Sequence, residues 1–169
     1  MSARISPARQ PVSGALVLCV LLGLGGCAAL SEPEPTRLDL TLAASERLNP
    51  DLHGRPSPVV VRLYELRQPA AFQASAFFDL YERARANLAA DLLASEELEL
   101  RPGETRRLKL LVEQGRYVGV LAGYRDLGSG RWRQVLSLSR GQRNTAVLLL
   151  DEEGLGQAPV APGSQGGQP

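Results

Sequence analysis

Two side chains carry enough reactivity to suggest chemistry: the thiol of Cys27 and the imidazole of His53, the only histidine. A thiol can be a nucleophile, a metal ligand, half of a disulfide or an acylation site, and its surroundings decide which. His53 sits in Asn49-Pro50-Asp51-Leu52-His53-Gly54, with no second His or Cys nearby to complete a metal site. It would act as a base only with a serine folded against it, and no G-x-S-x-G elbow is present. Glu96-Glu97 and Glu152-Glu153 are adjacent pairs. Neighbours on a strand point to opposite faces, so these carboxylates read as solvating charges. Gly128-Ser129-Gly130 is too short for a phosphate cradle and reads as a hairpin turn. Around Trp132, alternation puts the ring on the core face and Arg131 and Arg133 on the wet face. No catalytic residue, metal site or cofactor is expected.

The segment before Cys27 narrows the chemistry of its thiol. Arg4 and Arg9 form a basic start, residues 15–24 an apolar run, and Gly25-Gly26 a small-residue cut site. That is the layout of a secretory signal peptide. The run is about half the length a membrane-spanning helix needs, so residues 1–26 are expected to be cleaved. Leu24-Gly25-Gly26-Cys27 resembles the lipobox of bacterial lipoproteins. The resemblance implies cleavage before Cys27 and acylation of its thiol and its new amino group. Ala28 follows, where an Asp would imply retention in the inner membrane, so the implied address is the outer membrane, facing the periplasm. Each buried acyl methylene contributes about 0.8 kcal/mol, and several chains together make a lasting tether. That covalent lipid on Cys27 takes the place of any cofactor.

The chain has 169 residues and a formal net charge of +1. Without residues 1–26 it carries 17 Lys plus Arg against 18 Asp plus Glu. That near-neutral balance argues against a nucleic-acid-binding surface. The remaining length suits one domain. Cys19 leaves with the signal and Cys27 is acylated, so no thiol is left for a disulfide. A hydrophobic core must hold the domain.

Residues 27–35 read as a lipidated tether, with Pro33 and Pro35 favouring extended chain. Residues 36–42 alternate with Leu38, Leu40 and Leu42 on one face, the mark of a half-buried strand. Residues 45–57 have no period and are rich in breakers, a long loop of the kind that often carries function. Residues 58–66 are β-branched and apolar on both faces, as in a central strand. In residues 70–93 the period changes: Phe77, Leu80, Tyr81, Ala84 and Leu88 form a helical stripe to pack on the sheet, and Asp79 as an inner cap would make residues 70–76 a separate short turn before it. Strands return at 98–100, 105–112, 116–124, 131–139 and 145–150, separated by Gly and Pro turns. Residues 153–169 are Gly-, Pro- and Gln-rich and are expected to be a disordered tail. The fold expected for residues 36–152 is a mainly β, antiparallel two-sheet sandwich with a helical insertion between the second and third strands.

The ordered set of features resembles the type VI secretion lipoprotein family TssJ, also called VasD or SciN. It comprises the lipobox Cys27, Pro58-Val-Val-Val-Arg-Leu-Tyr-Glu-Leu66, Ala76-Phe-Phe-Asp-Leu-Tyr81, Arg101-Pro-Gly-Glu104, Tyr117-Val-Gly-Val-Leu-Ala-Gly-Tyr-Arg125 and Trp132-Arg133. The resemblance implies a transthyretin-like sandwich anchored in the outer membrane. It also implies a partner, the periplasmic domain of the inner-membrane subunit TssM. In that family the loop between the first two strands is a contact surface, which makes Asn49, Pro50, Asp51, His53 and Arg55 the candidate contacts. The alternatives are another periplasmic β-sandwich lipoprotein, acting as carrier or assembly chaperone, and a cell-wall hydrolase that would need a cavity uniting His53 with a serine and a carboxylate.

Overall fold

The alternation of Leu38, Leu40 and Leu42 becomes the inner face of β1 (Thr36–Ala44), where all three are buried. The computed structural model describes residues 34–159. The signal segment 1–26, Cys27, the tether up to residue 33 and the tail from residue 160 lie outside the described residues.

After β1 come β2 (Val59–Leu66), α1 (Ala70–Ala74), α2 (Phe77–Leu88), a 3₁₀ turn (Ala89–Asp91) and β3 (Leu92–Leu100). Then follow β4 (Thr105–Val112), β5 (Tyr117–Ala122), β6 (Arg133–Ser137), β7 (Arg143–Leu150) and β8 (Leu155–Gln157). They form two four-stranded sheets, ordered β4-β1-β7-β8 and β3-β2-β5-β6. The fold is the expected mainly β sandwich with a helical insertion between β2 and β3.

Four details differ from the sequence reading. β1 and β7 pair in parallel, Arg37 opposite Arg143 through Ala44 opposite Leu150, although every other pair is antiparallel. The short segment expected before the main helix is a helix of its own, and α2 starts at Phe77 with Ala76 at its cap and Asp79 inside its first turn, so Asp79 is not the cap. It also ends early, because residues 92–97 join β3. Their exposed Glu96 and Glu97 hide the strand period, and pairing with β2 decides the conformation. Finally, residues 155–157, expected in the tail, add β8 to the edge of β7, with Leu155 buried in the core.

β2 and β5 are buried on both faces, which explains their continuous apolar character. One face, with Val59, Val61, Leu63, Val118 and Val120, meets β1 and β7 across the sandwich core. The other packs Tyr64, Leu66 and Leu121 against Phe72, Leu80 and Leu88 of the helices. Gly119 of β5 leaves the space that Phe72 fills; a Cβ there would lie 3.0 Å from the Phe72 ring and from Leu66. Burying a side chain such as Phe72 contributes about 1.5–3 kcal/mol.

Polar contacts also fasten the helices to the sheet. Tyr64 Oη donates to Leu80 O at 3.0 Å, and Arg62 donates to Tyr81 O. Arg133 Nη1 donates to Phe72 O at 3.1 Å and Ser75 O at 2.6 Å. Arg133 is therefore not on a wet face as alternation suggested: it closes the end of α1, and burial lowers its pKa. Arg131 is exposed and pairs with Glu153 at 2.5 Å. Trp132 packs into both clusters, edge-on to Phe77 with ring centres 5.3 Å apart.

Candidate functional site

The direction of β1 gives the sandwich two distinct poles. The chain enters at Thr36, beside the end of β4 and the start of β7. β1 then runs to Ala44, where the β1–β2 loop, residues 45–57, caps the other pole.

The base of this loop is tied down on three sides. Ser45 N donates to Leu150 O at 2.8 Å, and Gly103 N donates to Ser45 O at 3.1 Å. Leu48 is buried in the sandwich core, and Ser57 N donates back to Leu48 O at 3.0 Å. The third tie is Asn49, whose side chain is 4% exposed and points inward. Its Nδ2 donates to Pro58 O at 2.8 Å, and its Oδ1 accepts Arg125 N at 2.9 Å. Asn49 has a φ of 46°, in the left-handed region where Asn is among the better-tolerated residues.

The tip is clasped upon itself. Asp51 Oδ1 accepts the amides of His53 at 2.8 Å and Arg55 at 3.0 Å. Asp51 Oδ2 accepts Arg55 Nε at 2.8 Å and pairs with Nη2 at 2.7 Å. The backbone closes the same ring, Asp51 N donating to Arg55 O and Gly54 N to Asp51 O, both at 2.9 Å. The Arg55 side chain, then the Arg55 amide, lower the Asp51 pKa against the opposing effect of burial, and the His53 amide and Arg125 add to the lowering. Gly54, with φ +75°, supplies the left-handed turn that closes the ring.

This geometry sorts the five candidate residues. Asn49 is spent on holding the loop. Asp51 and Arg55 form the clasp, with Arg55 exposed. Pro50 is half-buried and the His53 side chain is exposed. The residue the sequence reading passed over is Leu52, which stands fully in solvent at 103% relative exposure. The turn geometry directs this apolar side chain outward. A cleft of about 730 Å³ runs beside the loop, walled by Tyr124, Arg125, Asp126 and Glu152 from neighbouring turns. The Tyr124 hydroxyl is buried there without a hydrogen-bond partner among the described residues, and burial raises its pKa. The residues lining the cleft include carboxylates but no serine beside His53, so a Ser–His–carboxylate constellation is not assembled there.

A family model and solved structures place this architecture among known proteins. The family model for type VI secretion lipoproteins (VasD, EvfM, TssJ) matches residues 36–153, from the first residue of β1 to just before β8. The crystal structure of the type VI secretion lipoprotein TssJ1 from Pseudomonas aeruginosa is similar, with 37% identity and a TM-score of 0.71 over 75% of this chain and 99% of that one. Serratia marcescens Lip, described as a membrane bound component of the type VI secretion system, is 28% identical with a TM-score of 0.70, again over 75% and 99%. A chain in the structure described as the type VI secretion protein TssM C-terminal domain from EAEC is 25% identical, with a TM-score of 0.65 over 72% and 99%. No curated protein sequence matches. The family model spans β1 to β7, the clasped loop and the helical insertion, and the chain belongs to the type VI secretion lipoprotein family.

Proposed function

We propose that this protein is an outer-membrane lipoprotein, acylated at Cys27 and facing the periplasm, that docks the periplasmic domain of a TssM-like inner-membrane subunit through its β1–β2 loop. The observation that carries the docking site is Leu52, an aliphatic side chain fully exposed on a loop pinned at its base and clasped at its tip. A preordered loop loses little conformational entropy on binding, so the apolar contact keeps more of its free energy. Pro50, His53 and Arg55, its neighbours along the loop, would form the rim, and Asp51 keeps the tip closed. The lipidation reading is supported by the lipobox-like Leu24-Gly25-Gly26-Cys27, and the partner by the similarity to a chain in the TssM C-terminal domain structure. The domain contributes position and stiffness to an envelope-spanning assembly; no chemical step and no cofactor is assigned to it.

The test is binding of the unlipidated chain from Ala28 onward to the periplasmic domain of the cognate TssM-like protein. A variant with residues 50–55 replaced by Gly and Ser serves as comparison. Binding that disappears with the loop supports the reading. Equal binding by both proteins would move the contact elsewhere, and no binding by the folded wild type would favour the carrier alternative. Separately, Cys27→Ser should release the protein from outer membranes washed at high salt, where an acylated wild type stays bound.

A further inference from the structure

The pole opposite the clasped loop gathers the start of β1, the end of β2, the β4–β5 turn and the β6–β7 turn. Arg67, Arg116 and Arg140 stand exposed on three of these segments. They line one open cleft of about 1020 Å³, together with Glu34, Pro35 and Thr36 where the chain enters β1. Arg67 Nη2 donates to Gln114 Oε1 at 3.4 Å, and Arg140 Nη2 to Gln114 O at 3.3 Å, so two guanidinium groups converge on one residue. Among the described residues none of these three arginines has a carboxylate within 4.0 Å, whereas eight other arginines form ion pairs.

Two of the four acidic groups nearby are engaged, and Glu34 and Glu113 share the cleft with the arginines. Glu65 Oε1 accepts the amides of Gln114 at 3.0 Å and Gly115 at 2.6 Å, which fixes the turn carrying Arg116. Asp39 faces Arg143 at 3.8 Å. Glu34 and Glu113 are exposed, and Arg37 adds a further cation at this end.

We propose that this pole docks on the surface of an anionic phospholipid bilayer, with Arg67, Arg116 and Arg140 on the headgroup phosphates. A guanidinium fork matches phosphate oxygens in bidentate fashion. The orientation rests on the anchoring reading above. The chain from Cys27 to Thr36 spans at most roughly 30 Å when extended, so acylation at Cys27 keeps this pole at the lipid and turns the clasped loop toward the periplasm. The same arginines that have no carboxylate partner among the described residues then pair with lipid phosphates.

Co-sedimentation of the unlipidated chain from Ala28 onward tests the surface without the anchor; the sandwich core lies wholly between β1 and β8, so it does not depend on lipid. Vesicles of phosphatidylcholine alone are compared with vesicles that also contain phosphatidylglycerol, at low and high salt. The wild type should bind only the anionic vesicles, and salt should weaken it. Each arginine near an anionic surface is worth about fivefold in partitioning, so Arg67→Gln/Arg116→Gln/Arg140→Gln should lose on the order of a hundredfold. Arg83→Gln/Arg101→Gln/Arg106→Gln, with the same charge change elsewhere, should lose far less. No binding by wild type, equal binding to neutral vesicles, or equal loss in both triple variants would overturn the proposal. Incorporation of labelled palmitate into wild type but not Cys27→Ser reads the acyl anchor independently of any arginine contact, so the two failures are distinguishable.

Discussion

Asn49 Oδ1 accepts the backbone amide of Arg125 at 2.9 Å, joining the β1–β2 loop to the β5–β6 turn across 76 positions of sequence. With Nδ2 on Pro58 O, both polar functions of one buried carboxamide are satisfied. Asn49→Ala would leave the part-buried Pro58 carbonyl and Arg125 amide without their side-chain partner and place Ala at positive φ. The expected cost is about 2–4 kcal/mol, read from urea or guanidinium unfolding. A loss below about 1 kcal/mol would show that water replaces the carboxamide easily.

Leu52 should behave in the opposite way. It buries nothing in the free protein, so Leu52→Asp should leave stability within about 0.5 kcal/mol of wild type. If the loop docks a TssM-like domain, the same change should weaken that complex at least tenfold, the scale of a central interface residue. Calorimetric titration with a parallel melting curve separates the two effects, and unchanged affinity would remove Leu52 from the interface.

The Asp51 clasp predicts a pH dependence with a definite sign. The carboxyl is held below its ordinary 3.8, chiefly by the Arg55 side chain. Its stabilising effect is therefore complete above the ordinary value and disappears only as pH falls through the lowered one. The loop tip should stay closed throughout neutral and mildly acidic conditions. An NMR titration of the Asp51 carboxyl should midpoint below 3.8 in wild type and move up toward it in Arg55→Gln. Identical midpoints in the two proteins would mean that the ion pair does not form in solution.

Gly119 and Phe72 form a size-matched pair. A methyl at Gly119 would press on the Phe72 ring at 3.0 Å, and Gly119→Ala should destabilise by about 1–3 kcal/mol. Phe72→Ala should destabilise by about 3–5 kcal/mol through the cavity it leaves. Combining Gly119→Ala with Phe72→Leu should cost less than the sum of the two single changes. Strict additivity in that double-mutant cycle would show that the β5 backbone, and not the ring, absorbs the methyl.

Periodicity was sufficient for β1, β2, β4, β5 and β7, because alternation or continuous apolarity reports directly which faces of a strand are buried. Breaker residues were sufficient to mark 45–57 as a loop, and the helical stripe from Phe77 to Leu88 announced a helix lying on a sheet. What depended on partners far along the chain was not legible. β3 is a strand because β2 pairs with it, in spite of its acidic surface. β8 exists because β7 offers an open edge and Leu155 has a place in the core. Arg133 looked like a wet residue, yet its role is set by helix carbonyls 58 and 61 positions away. At the docking loop, residue type was misleading in both directions. Polar Asn49 turned inward because two backbone groups need its carboxamide, and apolar Leu52 turned outward because the Asp51–Arg55 ring leaves it no core to enter. Local sequence determined where this chain bends and alternates; the tertiary fold decided which side chains the bends expose, since burial is a property of what packs opposite.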